Sequence, residues 1–121
     1  MSVGDFKPWL EQAEHDVDSA NLLLRENGHA DMIIFHTHQA VEKTLKGLLI
    51  KHGMAVPETH DLDPLLLSVR KHYPKLDSVQ RRIAALDLFS PTLRYPTGDK
   101  LTRQQALECW DMMQEILNVL Q

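Results

Sequence analysis

His36 and His38 stand two apart in a helical stretch of a chain with seven histidines, so metal binding is the first chemistry to test. At about 100° per residue their side chains diverge by about 200°, and one ion cannot take both while the helix is intact. There is no His-Glu-x-x-His and no paired cysteine spacing. His15, His29, His52 and His72 read as surface or helix-end residues, where an imidazole can cap terminal carbonyls. No metal site and no cofactor are expected. Covalent catalysis is equally unsupported. There is no Gly-x-Ser-x-Gly turn, no phosphate-binding glycine loop and no Cys–His arrangement. Asp16, Asp18, Asp61, Asp63, Asp87 and Asp111 are scattered, with no spacing that assigns general acid–base work. No catalytic residue is assigned.

Three features remain. The first lies between Ile34 and Leu49. Ile33, Ile34, Thr37, Ala40, Val41, Thr44, Leu45 and Leu48 share one apolar side of a helix, while His36, Gln39, Lys43 and Lys46 gather on the other. Glu42 and Lys46 are spaced for an ion pair of about 0.2–0.5 kcal/mol. Lys43 has only its chain neighbour Glu42 as a nearby acid, which leaves it free to meet an external anion or a partner chain. The same strip also reads as a solvated helix face. The second feature is Thr59-His60-Asp61-Leu62 at a helix start, either a plain cap through Thr59 or Asp61 or a place where backbone amides hold an anion. The third is Leu93-Arg94-Tyr95-Pro96. There a guanidinium in a proline-braced loop either grips phosphate or carboxylate, or ties the loop to a helix carboxylate.

The elements that must position these groups are helical almost throughout. The first helix runs from about Pro8 to Arg25 and stops at Asn27-Gly28. The second runs from about Ala30 to His52 and ends at Gly53. The third starts near Asp61, buries Leu62, Leu65, Leu66 and Val69, and ends before Tyr73-Pro74. The fourth runs from about Asp77 to Leu88. The fifth begins at Thr102, where Thr102-Arg103-Gln104-Gln105 matches a capping box. Ala106, Cys109, Trp110, Met113, Ile116, Leu117 and Leu120 form its buried stripe. The prolines and glycine between Ser90 and Asp99 exclude regular structure there. The expected fold is all-α, an up-and-down bundle of four to five helices in a single domain over residues 1–121, with its core at about 7–120.

Composition narrows the function classes. With 121 residues, 43% apolar and 25% charged, the chain can bury an ordinary core unaided. A net charge of −4 argues against sequence-independent nucleic-acid binding. The lone Cys109 reads as a small core residue. No apolar run spans a bilayer and no signal segment opens the chain, so a cytoplasmic location is expected.

Phe35 to Leu49, Thr59-His60-Asp61-Leu62 and Arg94-Tyr95-Pro96, taken in that order, resemble the landmarks of the HEPN family of small all-α domains. Trp9 with Ala13, Asp16 and Ala20 is similar to the start of that family's first helix. The resemblance covers nearly the whole chain. It implies a four-to-five-helix bundle that dimerises through its long helices, frequent association with a separately encoded minimal nucleotidyltransferase, and nucleotide or RNA binding. By motif position, Glu42, Lys43, Lys46, His60, Arg94 and Tyr95 are the expected ligand- or partner-binding residues, with His36 and Gln39 beside them. The family's ribonuclease branch carries Arg, four to six residues, then His. Here Arg25 and His29 have only three residues between them, Arg70 and His72 only one, and the remaining arginines precede no histidine. The reading is therefore a non-catalytic nucleotide-binding or nucleotidyltransferase-partner module acting as a homodimer. A toxin-like ribonuclease with a divergent site and a purely structural dimerisation protein are the alternatives.

Overall fold

The protein's structure is a computed structural model that describes residues 5–89 and 100–121. Among these residues every regular element is helical, as the periodicity implies. Helix α1 spans Lys7–Arg25 and α2 spans Ala30–Lys51, each within one residue of the expected limits. Pro8 lies in the first turn of α1, where its missing N–H has no intrahelical partner to lose. The reversal between the two helices divides its work between two residues. Asn27 takes the left-handed conformation at φ 57°, which asparagine tolerates better than most side chains. Gly28 donates its N–H to the Leu23 carbonyl at 2.6 Å, and a Cβ there would stand 2.6 Å from Leu23 Cδ2. Gly53, at φ 68°, closes the far end of α2.

The connection is short, so α1 and α2 lie antiparallel and pack along their length. Their meeting faces are built from small residues. Ala13 and Ala20 are the buried apolar residues of α1, and Gly47 faces α1 from α2. A Cβ at Gly47 would come within 3.0 Å of Leu10 Cδ2 and 3.1 Å of Trp9 Cβ. A mid-helix glycine costs about 1 kcal/mol against alanine. Here the close approach of α1 offsets that cost.

Helix α3 spans Leu62–Val69, α4 spans Gln80–Asp87 and α5 spans Arg103–Val119. The segment expected as one helix from Asp77 to Leu88 is instead a 3-10 turn, Pro74–Val79, followed by α4. Pro74 enters the turn with its φ already fixed, and Leu76 donates to the Tyr73 carbonyl three residues back. At Val79 the backbone leaves helical geometry (φ −116°, ψ 15°), and the chain changes direction. The bend lets Leu76 and Val79 reach the same core as Ile83 and Leu86.

The core centres on α2. Ile33, Ile34, Leu45 and Leu49 are fully buried there against Leu62 and Leu65 of α3, Ile83 and Leu86 of α4, and Met113 and Ile116 of α5. Helix α5 opens on the expected capping box. The Gln105 N–H donates to Thr102 Oγ1 at 3.1 Å, and the Thr102 N–H donates to Gln105 Oε1 at 2.8 Å. An Arg82–Glu115 ion pair ties α4 to α5. Cys109 is buried in this core, and burial first, with the Glu108 charge second, pushes its thiol up to about 12. That suits a packing residue and not a nucleophile.

Gly47→Val inserts a branched side chain where even one carbon is tight. It is expected to lower the unfolding free energy by about 1–3 kcal/mol. Equilibrium denaturation measures this, and an unchanged midpoint would show that α1 is not held against α2 at Gly47.

Candidate functional site

The polar face of α2 is largely covered: Lys46 is buried, and His36, Gln39 and Lys43 are half-buried. Covering it are α1 on one side and the segment before α3 on the other. Asp16 sits on the buried stripe of α1 between Ala13 and Ala20 and is only 6% exposed. A carboxylate placed there needs donors, and α2 supplies two from positions seven apart, which is two helical turns. The His36 ring donates from Nδ1 to Asp16 Oδ1 at 2.8 Å, and Lys43 donates from Nζ to Asp16 Oδ2 at 2.8 Å. Lys43 is therefore not free for an external anion, as its spacing had suggested. Its partner comes from another helix, so angular position within α2 could not show it.

The second cluster centres on Glu42, 3% exposed. Gln39 donates to Oε1 at 3.3 Å, and Lys46 donates to Oε2 at 2.9 Å. His60 Nδ1 lies 3.2 Å from Oε2. A carboxylate only accepts, so the His60 proton on that edge is on Nδ1, and the imidazole is held by a buried anion. The His60 side chain is 65% exposed and turns its Nε2 edge away from Glu42. Lys46 is the reverse of the expected outward cation. It is 8% exposed, with Nζ 5.9 Å from the centre of the Trp9 ring. Its stem and charge are both enclosed, so the Glu42–Lys46 pair is a buried one, not a surface pair.

A third polar contact adjoins the second. His38 is fully buried, and its Nε2 lies 3.2 Å from Asp87 Oδ1. The same carboxylate accepts from the Leu62 N–H at 2.8 Å and from the Asp63 N–H at 3.4 Å. Asp87, from the end of α4, thus caps the N-terminus of α3. The expected caps do not act that way. Asp61 occupies the N-cap position without a side-chain cap bond, and Thr59 Oγ1 accepts from the Asp61 N–H at 2.9 Å, one residue before the helix begins. His38 Nδ1 has no hydrogen-bond partner and faces Glu42 Oε1 at 3.8 Å. Burial pushes the His38 imidazole below its ordinary value, against the opposing pull of the Asp87 hydrogen bond and the Glu42, Asp87 and Asp61 charges.

Of the expected binding residues, the structure brings Glu42, Lys46, His60 and Gln39 onto one point and gathers Lys43 and His36 on Asp16. Arg94 and Tyr95 lie outside the described residues. His38 and Asp87 were missed. The four-residue step from His38 to Glu42 was a legible signal that both share a face. Asp87 offered none, because its partners are 25 and 49 positions away. Among the described residues no group of three His, Cys, Asp or Glu is arranged to hold a metal ion. Among them also, no helix is long and apolar enough to cross a membrane. The arrangement can present one oriented imidazole at the surface, backed by a compensated buried carboxylate.

Comparison with known proteins gives the family. The sequence model for the HEPN domain matches residues 6–121. A crystal structure of TT1696 from Thermus thermophilus superposes with a TM-score of 0.81 at 28% identity, over 97% of this chain and 96% of that one. A protein of Methanocaldococcus jannaschii named "Putative toxin MJ1304" is 38% identical over 48 residues, which is 40% of this chain. The match spans only 31% of that relative's length.

Because the folded protein holds His38 below its ordinary 6.5, the unfolded chain binds more protons near and below that pH. The stability contributed by neutral His38 is complete above about 6.5 and is lost as the pH falls toward the lower folded value. His52, also lowered, by desolvation and by the neighbouring His72 and Lys51, acts with the same sign. Unfolding midpoints are therefore expected to fall between about pH 7 and pH 5. The fall should be shallower in His38→Gln, whose amide can still donate to Asp87. Equal slopes in the two proteins would contradict a neutral buried His38.

Proposed function

Because this chain belongs to the HEPN domain family, we propose that it is a non-catalytic nucleotide-binding or nucleotidyltransferase-partner module that acts as a homodimer and meets its ligand at His60. The observation that carries this reading is the convergence of three donors, from Gln39, Lys46 and His60, on the single carboxylate of Glu42. A donor set that satisfies one oxyanion in a protected place suits a second one arriving at its open edge. That edge is His60, and a phosphate group there would share the charge now committed to Glu42. The dimer is supported by the exposed apolar side chains of Leu22 on α1 and Met32 on α2, which a second copy would cover. In this reading Arg94 and Tyr95, which lie outside the described residues, contribute as well, as the family motif implies.

Calorimetric titration of ATP and GTP into the wild type should show binding that weakens about tenfold or more in His60→Ala, the scale of one lost charge-assisted hydrogen bond. Light scattering on the same samples should give twice the 13.9 kDa chain mass. Absent heats, or heats unchanged by His60→Ala, would remove the nucleotide reading, and a monomer would remove the dimer.

A second reading is a toxin-like ribonuclease. A surface imidazole oriented by a buried carboxylate is the arrangement a general base needs, and the relative matched over 48 residues carries a toxin name. Against it stands the missing arginine-to-histidine spacing, since RNA cleavage needs a cation beside the base. Incubation with RNA decides between them. Cleavage that is lost in His60→Ala and reduced in Glu42→Gln would favour the enzyme. No cleavage by the wild type would leave the binding module.

A further inference from the structure

His38 has no evident role in either reading, yet it stands between the two carboxylates on which this end of the bundle depends. Its Nε2 faces Asp87 at 3.2 Å, and since Asp87 only accepts, the ring's single proton must be there. Nδ1 is then a bare lone pair, fully enclosed, unpartnered, and 3.8 Å from Glu42 Oε1. The two are acceptors facing each other in an enclosed space, and of the pair it is Nδ1 that lacks any donor, since Glu42 Oε1 also accepts from Gln39. One proton between them would turn the repulsion into an ion pair, and the remaining gap of about 1 Å to hydrogen-bond distance lies within side-chain torsion. Nothing favours that proton strongly while Lys46 and His60 compensate Glu42 from the other side.

Binding at His60 alters that balance. An oxyanion that attracts Lys46 and His60 draws compensation away from Glu42 and leaves a buried carboxylate short of positive charge. We propose that His38 then accepts a proton from solvent at Nδ1, donates it to Glu42 as a hydrogen bond, and so couples oxyanion binding at His60 to proton uptake. The N–H bond formed at Nδ1 is balanced by one O–H bond broken in a solvent hydronium ion, which leaves as water, and no other covalent bond changes. The coupling rests on the reading of His60 as the ligand contact, and it makes His38 a positioning residue that never touches the ligand. The charged and titratable groups concerned are Glu42 and Lys46 on α2, His60 and Asp61 in the segment before α3, and Asp87 on α4. Burial opposes the proton in the unliganded state. By linkage, mild acid strengthens oxyanion binding through the same residue.

The histidine ring nitrogens can be followed by nitrogen-detected NMR across a pH titration, first without any ligand. Lys46→Met removes the counter-charge as a ligand would, and is expected to raise the His38 midpoint by about one pH unit. Glu42→Gln removes the anion and is expected to lower it. A His38 midpoint that neither variant moves overturns the coupling, whatever binds at His60. Inorganic sulfate, which stays a dianion throughout this range and carries no proton of its own, is the oxyanion probe for the wild type. Movement of the His60 signals together with a raised His38 midpoint supports the proposal. Movement of His60 with His38 unchanged overturns the coupling and leaves the binding reading intact. If neither sulfate nor a nucleotide perturbs His60, the binding reading fails, and the two variants still decide whether His38 answers to the charge on Glu42.

Discussion

A carboxylate placed where water does not reach dictates the rest of its neighbourhood, and Glu42 is that group here. Removing one partner from a buried ion pair costs about 3–5 kcal/mol, because the remaining charge has no solvent to turn to. Lys46 is accordingly drawn in with its stem enclosed and its ammonium near the Trp9 ring, although a lysine on a helix face ordinarily stays in water. Gln39 is committed to Oε1 and His60 to Oε2. The segment before α3 is thus tied to α2 by an electrostatic need as well as by Leu62 in the core. The same commitment limits what a ligand can recruit. Lys43 is held by Asp16, and Lys46 could turn to another anion only at the expense of Glu42, which leaves the His60 edge as the part of the described cluster most open to an outside group.

How far the sequence disclosed this depends on the range of each signal. Helices α1, α2 and α5 were legible because three-to-four spacing and end signals such as Pro8, Gly53 and the Thr102–Gln105 box are local. The break at Val79 was not, because a six-residue 3-10 turn and the first turns of an α-helix place apolar residues at nearly the same intervals. The polar arc of α2 is legible in the sequence as an arc, but its partial covering is not. Periodicity tells which residues share a face and says nothing of what covers it. A clue lay on α1, where Asp16 interrupts a stripe of alanines, and an acid in that register asks for donors from a neighbour. The link from Asp87 to His38 and to the α3 amides had no counterpart in local pattern, since it exists only after α4 has folded back on α3. Membership of the HEPN family accounts for the bundle as a whole. It does not account for how this chain distributes its charges.

One feature bears on how the molecule assembles. Helix α3 has eight residues, too few to hold together alone in water, and its first amides are satisfied by a carboxylate from α4. The α1–α2 hairpin, by contrast, is joined by a tight local reversal and needs no distant group to form its contacts. The hairpin's contacts are thus local in the chain, whereas the first amides of α3 are satisfied only where α4 brings Asp87 into place. The surface that carries His60 therefore depends on α4. A weakened α4 would bear first on that face of the molecule and least on the α1–α2 frame.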